Sequence, residues 1–218
     1  MELKLLYPTK KLESVNVGII SVKTLKLFAN QNYVHDHTLG SRILSSICCS
    51  KDHTEFLDVS SIDGLRIIRQ AKINTTNSDR YTPRVYCECG KLSDTSVDLT
   101  FDIEPSDIYE KEHIWQGKKI KLKPDTPFTQ LKAYGDFKSG DESLILDSVL
   151  LSRIESIDGE TKFDLDEFSM GFVHYLGELL EPENEKWMKL STSESKCECG
   201  RTNIVTIDLF DQEFVLGK

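Results

Sequence analysis

The chain has 218 residues, 39% hydrophobic and 29% charged, with 36 acidic against 27 basic side chains and a formal net charge of −9. That is apolar material for one large or two small cores. It also argues against binding a nucleic-acid backbone, which needs clustered Lys and Arg to displace counterions. No apolar run approaches the roughly 18 residues of a membrane-spanning helix, and Met1-Glu2-Leu3-Lys4-Leu5-Leu6 has no small-residue cleavage site, so the sequence predicts neither a membrane span nor export. A reducing compartment follows, in which six cysteines suit metal ligation or core packing better than disulfides.

In chain order, extended runs are predicted around Leu5-Leu6-Tyr7-Pro8 and over 15–20, and helices over 24–30 and 41–49, the latter capped by Ser41 with Ile43, Leu44, Ile47 and Cys48 on one stripe. Cys48 and Cys49 leave a helix about 100° apart, which suits core thiols better than one shared metal. Ser60, Ser61 and Asp63 offer caps for a short helix carrying Ile62, Leu65, Ile68 and Ala71, followed by a polar loop over 74–79 and a strand at Thr82-Pro83-Arg84-Val85-Tyr86. Lys118-Lys119-Ile120-Lys121-Leu122-Lys123 alternates as the half-solvated strand of a one-sided sheet. Leu144, Ile145, Ser148, Leu151, Ile154 and Ile157 predict an amphipathic helix over 142–157, ended by Asp158-Gly159. A second helix, capped by Asp166, carries Phe168, Phe172, Tyr175, Leu176, Leu179 and Leu180 and stops near Pro182, with one more short helix over 185–190.

The tetrad Cys-Glu-Cys-Gly occurs twice, at 87–90 and 197–200, each time followed by an apolar and acidic run, Val97 to Asp102 and Ile207 to Asp211. Two thiolate pairs, each ending at a glycine that turns the chain back, supply the four soft ligands of a closed tetrahedral zinc site at Cys87, Cys89, Cys197 and Cys199. Only one residue separates the cysteines of each pair, where a zinc knuckle usually has two. Reduced hairpins with buried cysteines and a disulfide framework are the alternatives. A site joining the pairs spans 197 − 89 = 108 positions and encloses the helical segment. The predicted fold is α+β: a zinc-ribbon-like pair of β-hairpins, short strands, an N-terminal helical pair and an inserted helical lobe. The regions are a strand and helix region at 1–80, the first cysteine hairpin at 81–138, the lobe at 139–192 and the second hairpin at 193–218, with one structural zinc per chain.

Taken together, the order of Ile43-Leu44-Ser45-Ser46-Ile47-Cys48, Asp63-Gly64-Leu65-Arg66-Ile67-Ile68-Arg69, the first cysteine pair, Lys119-Ile120-Lys121-Leu122, Leu150 to Ile157 and the second cysteine pair running into Asp208 to Phe214 resembles the T-even-type bacteriophage baseplate protein family, hub assembly factors of contractile-tailed phages. The chain departs from that family in its one-residue cysteine spacing and in Pro8-Thr9-Lys10-Lys11, where the family turns on small residues and glycine. The resemblance implies a non-enzymatic, zinc-stapled tail-morphogenesis adaptor or chaperone. It would bind hub or tape-measure proteins in the host cytoplasm, with residence in the virion left open. Its candidate partner surfaces are Phe168, Phe172 and Trp187 on the helical faces and Phe210 and Phe214 in the tail; the alternative is that these residues fill the core.

Two rival readings come from other classes. One is a zinc-ribbon nucleic-acid-binding or transcription-regulatory protein, which the acidic balance opposes. The other is a metal-dependent enzyme using His35-Asp36-His37 with Asp52 and His53. No His-Glu-x-x-His, nucleophile elbow or phosphate-cradling glycine loop supports the second.

Overall fold

The computed structural model describes residues 1–29, 38–127, 129, 153–162, 169–207 and 214–215. They form a mixed architecture of helices and small antiparallel sheets, in keeping with the α+β expectation. β1 (Glu2–Lys4) pairs with β2 (Ser14–Asn16), and α1 (Val22–Phe28) and α2 (Leu39–Ile47) follow. A 3-10 turn at His53–Phe56 leads to α3 (Ser61–Thr76). Next come β3 (Arg80–Tyr81), β4 (Arg84–Tyr86), β5 (Leu92–Asp94) and β6 (Val97–Asp98), pairing as β3 with β6 around β4 with β5. After a second 3-10 turn at Asp107–Tyr109, β7 (Glu112–Trp115), β8 (Lys118–Leu122) and β9 (Ile154–Ile157) make a three-stranded meander. The helix α4 (Met170–Ser191) and the hairpin β10 (Thr192–Lys196) and β11 (Thr202–Thr206) complete the described chain.

One apolar cluster is built around α2 and α3, where Leu39, Ile43, Leu44, Ile47, Leu65, Ile67 and Ile68 are each at most 1% exposed. Fully burying such a side chain contributes about 1.5–3 kcal/mol. Helix α3 also carries a buried polar row that ties distant segments to the cluster. Asp63 accepts from the backbone N–H groups of Leu6 and Tyr7 (2.8 and 3.0 Å), from the Ser60 hydroxyl and from Arg66. Two turns on, Arg69 donates to the carbonyls of Leu99, Asp98 and Leu190. The last lies in the final turn of α4, where carbonyls lack helical partners and a cation is favoured. Lys72 donates to the carbonyl of Phe214 at 2.6 Å. As predicted, Ser60 is the N-cap of α3, its hydroxyl accepting from the Asp63 amide at 3.0 Å.

Several expectations need correction. Ser41 lies inside α2, which starts at Leu39 behind Thr38, and its hydroxyl donates to the Thr38 carbonyl instead of capping the helix. The helix ends at Ile47 because Cys49 turns left-handed (φ 54°), which leaves Cys49 exposed and only Cys48 half-buried as a near-core thiol. Burial pushes the Cys48 thiol up to about 12. The predicted polar loop after residue 73 is helical through Thr76, where Asn77, also left-handed, ends α3. Most of the helix predicted over 142–157 lies outside the described residues, but its last four, Ile154–Ile157, are strand β9. Both Asp158 and Gly159 have positive φ (52° and 83°), so Asp-Gly is a turn continuing from a strand and not a helix stop.

The largest correction concerns Pro182, which does not end a helix: α4 runs unbroken for 22 residues. A proline inside a helix removes one backbone bond and costs about 3 kcal/mol. Two separate burials offset that cost. Before the proline, Phe172, Leu176 and Leu180 pack on Ile120, Leu122, Ile154 and Ile157 of the meander, forming a second apolar cluster; beyond it, Leu190 joins the α3 cluster with Trp187 against it. At the junction sits Glu183, 1% exposed, receiving the Tyr7 hydroxyl at 2.6 Å and the Lys186 ammonium at 2.7 Å. Burial and this hydrogen bond raise Tyr7 far above the usual phenol range, so it stays a donor at every physiological pH. The basic stretch behaves as expected: Ile120 and Leu122 point inward from β8 while Lys119 and Lys121 stay out, paired with Glu112 and Glu155.

Candidate metal centre

Both cysteine tetrads sit on hairpins of the same design. In the first, the Cys87 amide donates to the Lys91 carbonyl and the Gly90 amide to the Cys87 carbonyl (2.9 and 2.8 Å); in the second, Cys197 donates to Arg201 and Gly200 to Cys197 (both 2.9 Å). A three-residue loop of this kind ends in a left-handed residue, and Gly90 and Gly200 stand there at φ 81° and 86°. Nothing lies within 4 Å of a Cβ added at either glycine, so the demand is conformational alone. Gly90→Ala is therefore expected to lower stability by about 1–2 kcal/mol in denaturant unfolding, the cost of holding a side-chain-bearing residue left-handed.

This turn explains how a one-residue spacing suffices. The first cysteine of each pair directly follows its strand and is buried (Cys87 3%, Cys197 5% exposed), while the second sits on the turn and is exposed. Across the two hairpins the sulfurs interleave, with Cys87 to Cys199 at 3.7 Å and Cys89 to Cys197 at 3.6 Å. All four sulfurs lie within 4.8 Å of one another. With Zn–S bonds of about 2.3 Å, the edge of a tetrahedral four-sulfur shell is about 3.8 Å, whereas a disulfide needs about 2.05 Å. The six cysteines are free thiols, and these four are arranged to hold a metal ion such as zinc. Exchanging the two hairpins maps one close contact onto the other, so the centre has a local twofold.

The backbone prepares the sulfurs for ligation. The Cys89 N–H directed at its sulfur holds the Cys87 thiol below the usual range. Cys197 is brought down to about 6 by the Cys199 N–H first, with help from neighbouring thiols and Ser93. Cys199 receives the Arg201 N–H, yet the thiols of Cys197, Cys89 and Cys87 push it up to about 11. Crowded sulfurs oppose one another's ionisation, and a divalent cation in their midst removes that opposition.

The same twofold relates residues that sequence reasoning passed over. Glu88 pairs with Arg201 at 2.5 Å and Glu198 with Lys91 at 3.1 Å, each joining the second position of one motif to the fifth of the other. The repeated unit is thus Cys-Glu-Cys-Gly followed by a cation, and the matching Lys91 and Arg201 are the sequence signal for it. These four side chains are 58–86% exposed, so the pairs orient the hairpins more than they stabilise them. Nearer the axis, the Asn203 amide donates to the Ser93 hydroxyl at 3.2 Å; each lies six positions after its motif's first cysteine.

Those of the remaining predicted residues that are described are not gathered into one surface. Phe172 and Phe214 are wholly buried, the first in the meander cluster and the second in the α3 cluster edge-on to Tyr81, so neither offers its ring to a partner. Trp187 is half-buried, and Phe168 and Phe210 lie outside the described residues. Of the rival histidine site, His35, Asp36 and His37 also lie outside them. Asp52 caps the turn at His53, accepting from the Thr54 amide at 2.8 Å, and its bonds to Thr54 hold its carboxyl below the usual range. No helix described is long and apolar enough to cross a membrane. Compared with protein-family models, curated proteins and solved structures, the chain matches none.

Proposed function

We propose that Cys87, Cys89, Cys197 and Cys199 hold one structural zinc per chain in a zinc-ribbon-like clasp, and that the clasped protein is a phage tail-assembly factor acting by binding. The observation that carries the metal reading is the interleaving of sulfurs from two distant hairpins at 3.6 and 3.7 Å, the edge length of a tetrahedral thiolate shell. Four protein ligands fill the zinc shell, leaving no position for substrate or water, so the ion staples the fold and does no chemistry. What it staples is functionally suggestive. The loop it closes contains the meander and α4, the segments through which such an adaptor would present a rigid surface.

The tail-assembly reading rests on the resemblance of the ordered segments from Ile43 to Phe214 to the baseplate family, and on the acidic balance that disfavours nucleic acid. Its partners would be hub or tape-measure proteins met in the host cytoplasm during assembly. With Phe172 and Phe214 in the core, Trp187 beside the exposed Met188 is, among the described residues, the member of the expected surface that remains available. The test is a pull-down of the tagged chain from phage-infected cells. Recovery of hub or tape-measure protein, weakened by Trp187→Ala, is expected. Salt-sensitive binding to DNA in place of any tail protein would overturn the assembly role.

A further inference from the structure

The outer edge of β11 departs from the way folded chains protect their strands. Among the described strands, β11 pairs with β10 alone. Cys197 donates to Arg201, and Ile207 to Ser191, so the hydrogen-bonded pairs of this hairpin fall on odd-numbered residues. The amides and carbonyls of Thr202, Ile204 and Thr206 therefore point away from β10. All three residues are exposed, Ile204 by 69%. Among the described strands of four or more residues, β11 alone has no charged side chain: Glu112 marks β7, three lysines β8, Glu155 β9, and Glu194 and Lys196 β10. By contrast, β4 enters through Pro83 and opens on Arg84. An edge five residues long, with no charge, proline or bulge, invites pairing with another strand.

We propose that this edge pairs with the same edge of a second copy of the chain, making a twofold dimer through a continuous four-stranded antiparallel sheet. The strand is its own complement. Antiparallel pairing centred on Ile204 sets Ile204 against Ile204 and Thr202 against Thr206, so three outward-facing pairs exchange two bonds each. Each of these three pairs is β-branched, a favourable cross-strand combination, and Asn203 stands opposite Val205 between them. Each copy carries a net charge of −9, yet no charged side chain of one strand meets its like on the other, so this uncharged stretch is where two acidic copies can approach. The contact is isologous and closes on itself, which ends assembly at two. The proposal does not depend on which ion the clasp holds.

Light scattering on the purified full-length chain across micromolar concentrations tests it. The native chain is expected to have twice the monomer mass, and Ile204→Lys, which opposes two ammonium groups across the twofold, the mass of a monomer. Ile204→Val is expected to keep the dimer. Unchanged circular dichroism and metal-to-chain ratio in the lysine variant separate loss of the edge from loss of the clasp, and Thr202→Glu at the exposed strand start is a second variant should the first misfold. A native monomer at every concentration overturns the proposal, even if the edge takes an extended segment of another protein. So does a fully dimeric Ile204→Lys that retains native circular dichroism.

Discussion

Cys197→Ser is expected to lose bound metal and, with it, about 3–5 kcal/mol of stability in denaturant unfolding. Small zinc peptides draw roughly 10–16 kcal/mol of apparent binding free energy from their ion because nothing else folds them. This chain has two apolar clusters of its own, so the clasp should contribute less than that and more than an ordinary surface contact. Cys87→Ser, at the equivalent buried position, is expected to match it. Cys48→Ser and Cys49→Ser should leave metal content unchanged, because these thiols lie outside the four-sulfur cluster. The pH dependence has a fixed sign. Ligation needs thiolates, and protons compete for all four, so the metal's contribution is full at neutral and alkaline pH and is lost as pH falls. Stability that rose as pH fell, or a metal-free Cys197→Ser with wild-type stability, would contradict this.

Asp63→Ala is expected to cost a comparable amount, about 3–5 kcal/mol, without touching metal content. Its carboxylate is fully buried and accepts from the amides of Leu6 and Tyr7, the Ser60 hydroxyl and the Arg66 guanidinium. Alanine leaves the two backbone donors unsatisfied, each with a desolvation penalty of about 1–3 kcal/mol, and takes the carboxylate from Arg66, which keeps its bond to the Lys4 carbonyl. Asp63→Asn, which keeps one accepting oxygen and the shape, should fall between. Urea unfolding of the three proteins measures the series. A loss below about 1 kcal/mol for alanine would mean that the N-terminal segment is held by its apolar contacts and not by α3.

How far the sequence could be read depended on whether a signal was local. The hairpin turns, the Ser60 cap and the alternation in β8 are written in adjacent residues, and the structure places them as expected. The cysteine cluster was legible for another reason: duplication reveals two partners even when they lie over 100 positions apart. What escaped was set by tertiary contacts. Pro182 looked like a helix stop because local chemistry says so, while Trp187 and Leu190 already continued the stripe begun at Phe172, Leu176 and Leu180. Ile154 to Ile157 carried helical spacing but pair with β8, and the Asp-Gly that follows is a hairpin signal when flanked by strands. Phe172 and Phe214 were ambiguous between partner and core until packing buried them. Lys91 and Arg201 went unread because a basic residue after a motif looks like ordinary solvated charge until its carboxylate partner is seen across the twofold.

The central claim is that both cysteine pairs converge on a single ion. Elemental analysis of the purified full-length chain tests it most directly. One zinc per chain is predicted for the native protein and none for Cys197→Ser; two zincs per chain, or a stably folded native protein with none, would contradict it.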